Sequence, residues 1–334
     1  MNKINSIFIS ILLFFSANSL SFAQETQEII VQSLPIERFK GVLRGEKVDE
    51  LIWRGGIEVS SDYQEFGGLS GITFTGDNYK IVMVSDIGNF FSAQLIYDEF
   101  DQLLALGGVE MSAITNSKGN VLPRRFAQDA EAIDTIYRFG KVASIRVGFE
   151  NLTRVADFEL NNGKPFGAAK EVAIPHDLSK ERTNASLEAL CIAPKNSPIA
   201  DSTLLITENM LVGENIAGFM LGNKDRGRFS IKKTKSMNPT DCAFLENGDL
   251  LILERGISFL SFSMQLRLIK AEKVQPKALL EGEVILSARG SKNIDNMEGL
   301  AVYKDANDKE RIIIISDDNF NDWERTLFLE FSFE

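Results

Sequence analysis

The 334-residue sequence has one histidine, His176, and two cysteines, Cys191 and Cys242. That scarcity excludes several common chemistries. A zinc site built from thiolates and imidazoles needs more Cys and His than this. A histidine-nucleophile phosphatase needs an Arg-His-Gly type motif, whereas His176 stands in Ile174-Pro-His-Asp-Leu178. A Ser-His-Asp esterase would have to use the same histidine, and no G-x-S-x-G elbow is present. Next to proline, His176 reads as an exposed loop residue, and Ser70, in Gly67-Gly-Leu-Ser-Gly71, as a small residue where strands crowd.

Positive charge is also short, with 36 Lys and Arg against 47 Asp and Glu and a net charge of −11. Nucleic acid and anionic membrane would repel such a chain, whereas divalent cations or cationic ligands would suit it. The one long apolar stretch, Ile7 to Phe15, follows Lys3 and precedes Ser21-Phe22-Ala23. This pattern predicts a signal peptide over residues 1–23. The stretch falls short of the roughly 20 residues of a membrane span. The expectation is therefore a periplasmic or secreted protein with one domain over 24–334, no span after signal removal, and no oligomer required. In an oxidising compartment the two cysteines could pair, but sequence supplies no geometry. Two buried free thiols are the favoured reading, because unpaired cysteine is commonly buried.

What the sequence does contain is a repeat. Gly68-Leu-Ser-Gly-Ile72, Ala130-Glu-Ala-Ile133, Leu187-Glu-Ala-Leu190, Thr240-Asp-Cys-Ala243 and Met297-Glu-Gly-Leu300 share one pattern. Their key positions, Ser70, Glu131, Glu188, Asp241 and Glu298, recur about every 53–61 residues. Each copy is followed by a second apolar run ending in a carboxylate, at Asp86, Glu150, Glu208, Glu254 and Asp317. The runs are short, rich in β-branched residues, and bounded by Gly, Asn and Asp, which argues for strands and against helices. An all-β propeller of five or six blades, each of about four antiparallel strands, accounts for the period. Two packed β-sandwiches would not. Val48 to Ser60 could close the ring against Leu327 to Phe333.

In a propeller, equivalent positions converge on the central axis. Inner strands beginning at one end, and second strands ending there, would place both carboxylate sets on one face. Glu131, Glu188, Asp241, Glu150, Glu208 and Glu254 are thus candidate ligand-binding residues. Crowded carboxylates must be protonated, paired or neutralised by a cation, and all-oxygen ligands favour calcium. The last copy is the richest in acids and amides. Asp86, Asp295, Glu298, Asp317 and Asp318 are the candidate metal ligands, and Glu298, Asp317 and Arg255 the candidate catalytic group, with Arg124 and Arg125 as further basic partners. The competing explanation is structural: such acids can accept neighbouring backbone amides and lock blade to blade.

Phe66-Gly-Gly-Leu-Ser-Gly-Ile72, Gln128-Asp-Ala-Glu-Ala-Ile133, Asn184-Ala-Ser-Leu-Glu-Ala-Leu190, Leu253-Glu-Arg-Gly256, Asp295-Asn-Met-Glu-Gly-Leu300 and Ile315-Ser-Asp-Asp-Asn-Phe-Asn321 with Arg325-Thr-Leu327 carry a resemblance. They are similar to the family named for an esterase-like activity of phytase, over about residues 60–334. The resemblance implies an exported β-propeller and a small-molecule ester or phosphate ligand. Arg255 keeps the basic residue usual after the fourth-blade acid, and Asn151 departs from the basic or bulky residue usual after Glu150. Calcium-dependent phosphomonoester hydrolysis is the leading functional expectation. A non-catalytic periplasmic binding propeller is the alternative, and carboxylic-ester hydrolysis ranks third.

Overall fold

A computed structural model describes residues 26–76, 79–123, 125–180, 186–222, 226–258, 261–290 and 292–334. The signal-peptide expectation for residues 1–23 lies outside them. Five sheets form a five-bladed β-propeller. The inner strands, one per blade, are Leu69–Phe74, Ala130–Arg138, Leu187–Ile192, Asn238–Phe244 and Asn296–Lys304. Each packs against the next, and the fifth against the first.

Closure takes the form expected from the sequence. Leu51–Ser60 pairs antiparallel with Thr326–Ser332, so the fifth blade takes strands from both ends of the described chain. Gln32–Ile36 extends that blade outward, and Thr26–Glu28 extends the first.

The apolar runs lack clean alternation because both faces of each blade are buried against neighbours. In the fourth blade Leu250 and Ile252 pack with Cys191, Leu204 and Ile206 of the third. Leu251 and Leu253, one residue out of phase, pack with Leu300, Ile312 and Ile314 of the fifth. The period of two thus sends successive side chains into different inter-blade cores. Full burial of each such side chain stabilises the fold by about 1.5–3 kcal/mol. Hairpins are closed by Asn162-Gly163 between the paired Asn161 and Lys164, both at positive φ, as a type I′ turn requires.

The cysteines differ from expectation. Cys191 and Cys242 form a disulfide between the inner strands of the third and fourth blades, with Cα atoms 5.6 Å apart. Residues 51 apart in sequence become direct neighbours because equivalent inner-strand positions of adjacent blades face each other. Among the described residues, no helix is long and apolar enough to cross a membrane.

Candidate functional site

The repeated signature is a repeated β-bulge. In every blade the pairing of inner and second strand slips by one residue, between Leu69 and Gly71, Ala130 and Ala132, Leu187 and Ala189, Pro239 and Asp241, and Met297 and Gly299. The extra residues are Ser70, Glu131, Glu188, Thr240 and Glu298. A bulge leaves its extra residue unpaired and re-aims it. Carboxylates from three blades converge as a result: Glu131 feels the charges of Asp129, Glu150 and Glu298, and Glu188 those of Glu131, Glu298 and Glu150.

Beside each bulge the second strand brings a charged residue to the same height, although in the third and fourth blades the strand runs on beyond it. Asp86, Glu150 and Glu208 donate their backbone N–H groups to Gly68, Asp129 and Ser186, while Arg255 pairs with Asn238 and Asp317 with Asn296. Both sets therefore lie at one end of the axis, as the sequence implied. Gly68 makes room there. Its φ is +61°, and a Cβ would lie 2.3 Å from Asp86 Oδ1.

The fourth blade is one residue out of register with the sequence assignment. Thr240 holds the bulge, and Arg255 faces Asn238 as Asp317 faces Asn296, so Asp241 and Glu254 occupy other positions. Asp241 accepts the backbone N–H of Leu300 at 2.7 Å and that of Cys242 at 2.8 Å, tying the fourth blade to the fifth. Asp134 accepts from Ile192 in the same manner between the second and third. These two acids are the blade locks of the structural explanation. Glu254, 1% exposed, is bound by Gln265 and by Arg267, whose Nε lies at 3.1 Å.

The five candidate metal ligands divide in the same way. Asp86, Glu298 and Asp317 belong to the acidic end, and mutual charge couples Asp317 to the other two. Asp318 accepts the N–H groups of Gly68 and Phe320 on Oδ1 and the Thr326 hydroxyl on Oδ2. Asp295 accepts Arg325 Nε at 3.2 Å. These last two acids serve the structure of the fifth blade and its junction with the first.

Among the described residues, a compact carboxylate group lies elsewhere. One oxygen each from Asp129, Glu131 and Glu150 falls within 4.8 Å of the others. Asp129 is fixed by the backbone and side-chain amide of Asn151. Asp129 lies outside the candidate site residues named from the sequence, although polar residues recur two places before the bulged residue, at Asp129, Ser186, Asn238 and Asn296. The donor set is all oxygen and anionic, which fits a hard divalent cation.

Across the ring Arg255 donates to Glu298 Oε1 and Asn296 Oδ1, each at 2.5 Å, and lies 3.6 Å from Glu208. Burial opposes its charge, but Glu298, Glu188, Glu208 and Asp317 outweigh that and raise its proton affinity. Burial and then the charges of Glu298 and Asp86 push Asp317 up to about 8 despite an amide from Asn319. Burial, Asp129 and Glu208 push Glu150 up to about 8. Glu298 rises by burial and is pulled back by Arg255, to about 7. Glu131 and Glu188 are raised well above the ordinary carboxylate range, first by burial and then by neighbouring acids. His176 lies exposed in the connection between the second and third blades. Arg124 lies outside the described residues, and Arg125 opens a short helix, Arg125–Gln128, just before Asp129.

A family model described as "Phytase-like: Esterase-like activity of phytase" matches residues 64–320, from the first bulge to the last acidic loop. The chain belongs to this phytase-like family. Every residue of the acidic end falls inside the match. No curated protein matches the chain. Among solved structures, it is similar to an endo-arabinase from Bacteroides thetaiotaomicron VPI-5482, with TM-score 0.44 and 12% identity over 80% of this chain and 94% of that one. It is also similar to the structure titled "YCF48 bound to D1 peptide", with TM-score 0.36 and 9% identity over 87% of this chain and 98% of that one. Likenesses this distant carry no argument about activity.

Proposed function

We propose that this phytase-like propeller is an exported, calcium-dependent phosphomonoester hydrolase acting at the acidic end of its axis. The observation that carries the reading is the division of that end into two halves. Asp129, Glu131 and Glu150 form a compact oxygen-donor group, and Arg255, Glu298 and Asp317 face it from the fourth and fifth blades. Export is supported by the N-terminal sequence and by the disulfide, a bond of oxidising compartments.

Calcium held by Asp129, Glu131 and Glu150 would neutralise phosphoryl oxygens and so favour attack on phosphorus. The chain supplies the rest. Arg255 can donate to a phosphoryl oxygen and offset charge that develops in the transition state. Asp317 and Glu298 exchange protons near pH 8 and pH 7, the range suited to general acid–base work at neutral pH. In the balanced step, the water oxygen bonds to phosphorus, its proton passes to a carboxylate, and the P–O ester bond breaks. A protonated carboxyl then returns a proton to the leaving alkoxide.

The test is a calorimetric calcium titration of the chelator-stripped protein, paired with a phosphate-ester turnover screen. Saturable binding at roughly 0.1–1 mM, the range of extracellular calcium modules, that is lost in Glu131→Gln and accompanied by turnover supports the reading. A flat titration at millimolar calcium refutes the metal mechanism.

The ring favours one second reading, a non-catalytic binding propeller. Arg255 is the only cation paired with this carboxylate group among the described residues, so an organic cation could be held there without reaction. Saturable binding of such a cation with no turnover of any ester would select it.

A further inference from the structure

Outward from Arg255 the surface changes sign. A cavity of about 350 Å³ begins at Glu208, Asn238 and Arg255 and continues past Lys233, Ser236 and Ile257. Ser236 and Ile257 also line a second cavity, of about 530 Å³, together with Lys235, Met237 and Arg289. The two adjoin across Ser236 and Ile257, and together they form a cleft that starts at the carboxylate ring and follows the fourth blade. Two features of the chain shape it. Ser236 adopts a left-handed φ of 63°, and Gly256 lets the Ser236 carbonyl approach where a Cβ would lie only 2.4 Å away.

The charges of this cleft are unusual for so acidic a chain. Among the described residues, Lys233 donates to the neutral Asn209, at 2.5 Å, and forms no ion pair. Neither Lys235 nor Arg289 forms an ion pair with any described residue. Glu208 is the one acid in the lining, and Asn238 and Arg255 hold it at the ring end. Three cations, serine hydroxyls and the apolar faces of Met237 and the exposed Ile257 remain to meet a ligand.

We propose that this cleft is a specificity subsite for the part of the ligand remote from the scissile ester, and that this part is an organic anion. The ester is then one whose alcohol portion carries a second negative group, a carboxylate or a phosphate. The inference rests on the hydrolase reading for the role of the ring, but binding in the cleft does not need turnover. Charge-assisted hydrogen bonds from Lys235 and Arg289 recognise the remote anion, and Met237 and Ile257 offer apolar contact to the carbon chain between the two groups.

The experiment measures dissociation constants calorimetrically with calcium present, for glycerol 2-phosphate, 3-phosphoglycerate and fructose 1,6-bisphosphate. The two probes with a second anion are expected to bind about tenfold more tightly than glycerol 2-phosphate, equivalent to about 1.4 kcal/mol. The ratio between 3-phosphoglycerate and the bisphosphate tells carboxylate from phosphate. In Lys235→Ala/Arg289→Ala the preference is expected to vanish while glycerol 2-phosphate binds as before. Both residues are exposed, so the double substitution is expected to leave the melting temperature unchanged. Equal binding of all three probes, or a preference that survives the double substitution, overturns the inference. Tricarballylate, which has no ester bond, separates the two readings in calcium-free buffer. If it binds and is weakened by the same substitutions while no ester is turned over, the cleft stands and the hydrolase reading falls.

Discussion

Arg255 and Glu298 meet at 2.5 Å across the seam between the fourth and fifth blades. Arg255 lies within the second strand of the fourth blade, Leu250–Ser258, opposite Asn238, and Glu298 is the bulged residue of the fifth blade's inner strand. Among the described residues, the contact joins the cation paired with the ring to an acid whose proton affinity it restrains. It couples the charge state of the site to the packing of two blades.

Arg255→Gln therefore has two expected effects. Turnover of a phosphomonoester falls about 100-fold or more, the usual scale for removing a donor aimed at developing charge. Glu298, released from the guanidinium, moves above its value of about 7, so the limb of the pH–rate profile that reports it shifts alkaline. Steady-state kinetics between pH 5 and pH 9 would check both. An unchanged profile would mean that Arg255 never meets the ester.

Glu254→Gln is expected to behave quite differently, although the residues are adjacent. It leaves the buried Arg267 without its counter-charge, which costs about 3–5 kcal/mol of stability. Calcium binding should survive, since Glu254 lies among Gln265 and Arg267 and outside the ring. Denaturant unfolding with and without calcium measures the two quantities separately.

The metal-free protein should lose stability as pH rises. Glu150 and Asp317 bind protons more tightly folded than unfolded, moving from ordinary values of 4.5 and 3.8 to about 8. Their contribution is fully present below the unfolded values, and it is lost as pH climbs from about 4 through 8. Calcium would replace the protons and release them on binding. Melting temperatures across pH 5–9 should therefore fall without calcium and flatten with it, and calorimetric heats should depend on the buffer's ionisation enthalpy. A melting temperature that rises toward pH 8 without calcium would contradict these shifts.

Reduction of Cys191–Cys242, or replacement of both by Ser, is expected to cost about 4 kcal/mol in the chain-entropy account of a crosslink spanning some 50 residues. Equilibrium unfolding with and without reductant reads this directly. The ring carboxylates lie outside this bond, so calcium affinity of the folded fraction should not change.

Much of this architecture was legible in the sequence. The recurring signature predicted inner strands, the terminal runs predicted closure, and strand direction put both carboxylate sets at one end. Register in the fourth blade was not legible, because Thr240-Asp241 and Glu254-Arg255 each set two polar residues side by side. A slip of one residue turns a strand residue to the opposite face, so Asp241 and Glu254 pass for ring members, whereas Arg255, read as a candidate catalytic residue, holds the ring position assigned to Glu254. Asp129 was missed because it precedes its strand. The disulfide was missed for a related reason: both cysteines stand near the same point of their repeats, yet only the folded ring makes adjacent repeats lateral neighbours.

The pairing of Leu51–Ser60 with Thr326–Ser332 also sets an order in time. Asp86 belongs to the first blade and Asp317 to the last, and the two come within reach only when the final strand docks on the early one. A ribosome-bound or partly translocated chain that has not yet delivered residues 326–332 has no closed acidic ring, however well its first blades are folded. Under the proposed reading, cation binding to the second-blade group Asp129, Glu131 and Glu150 would precede closure, and it is the arrival of Asp317 beside Asp86, and with it turnover, that would report chain completion.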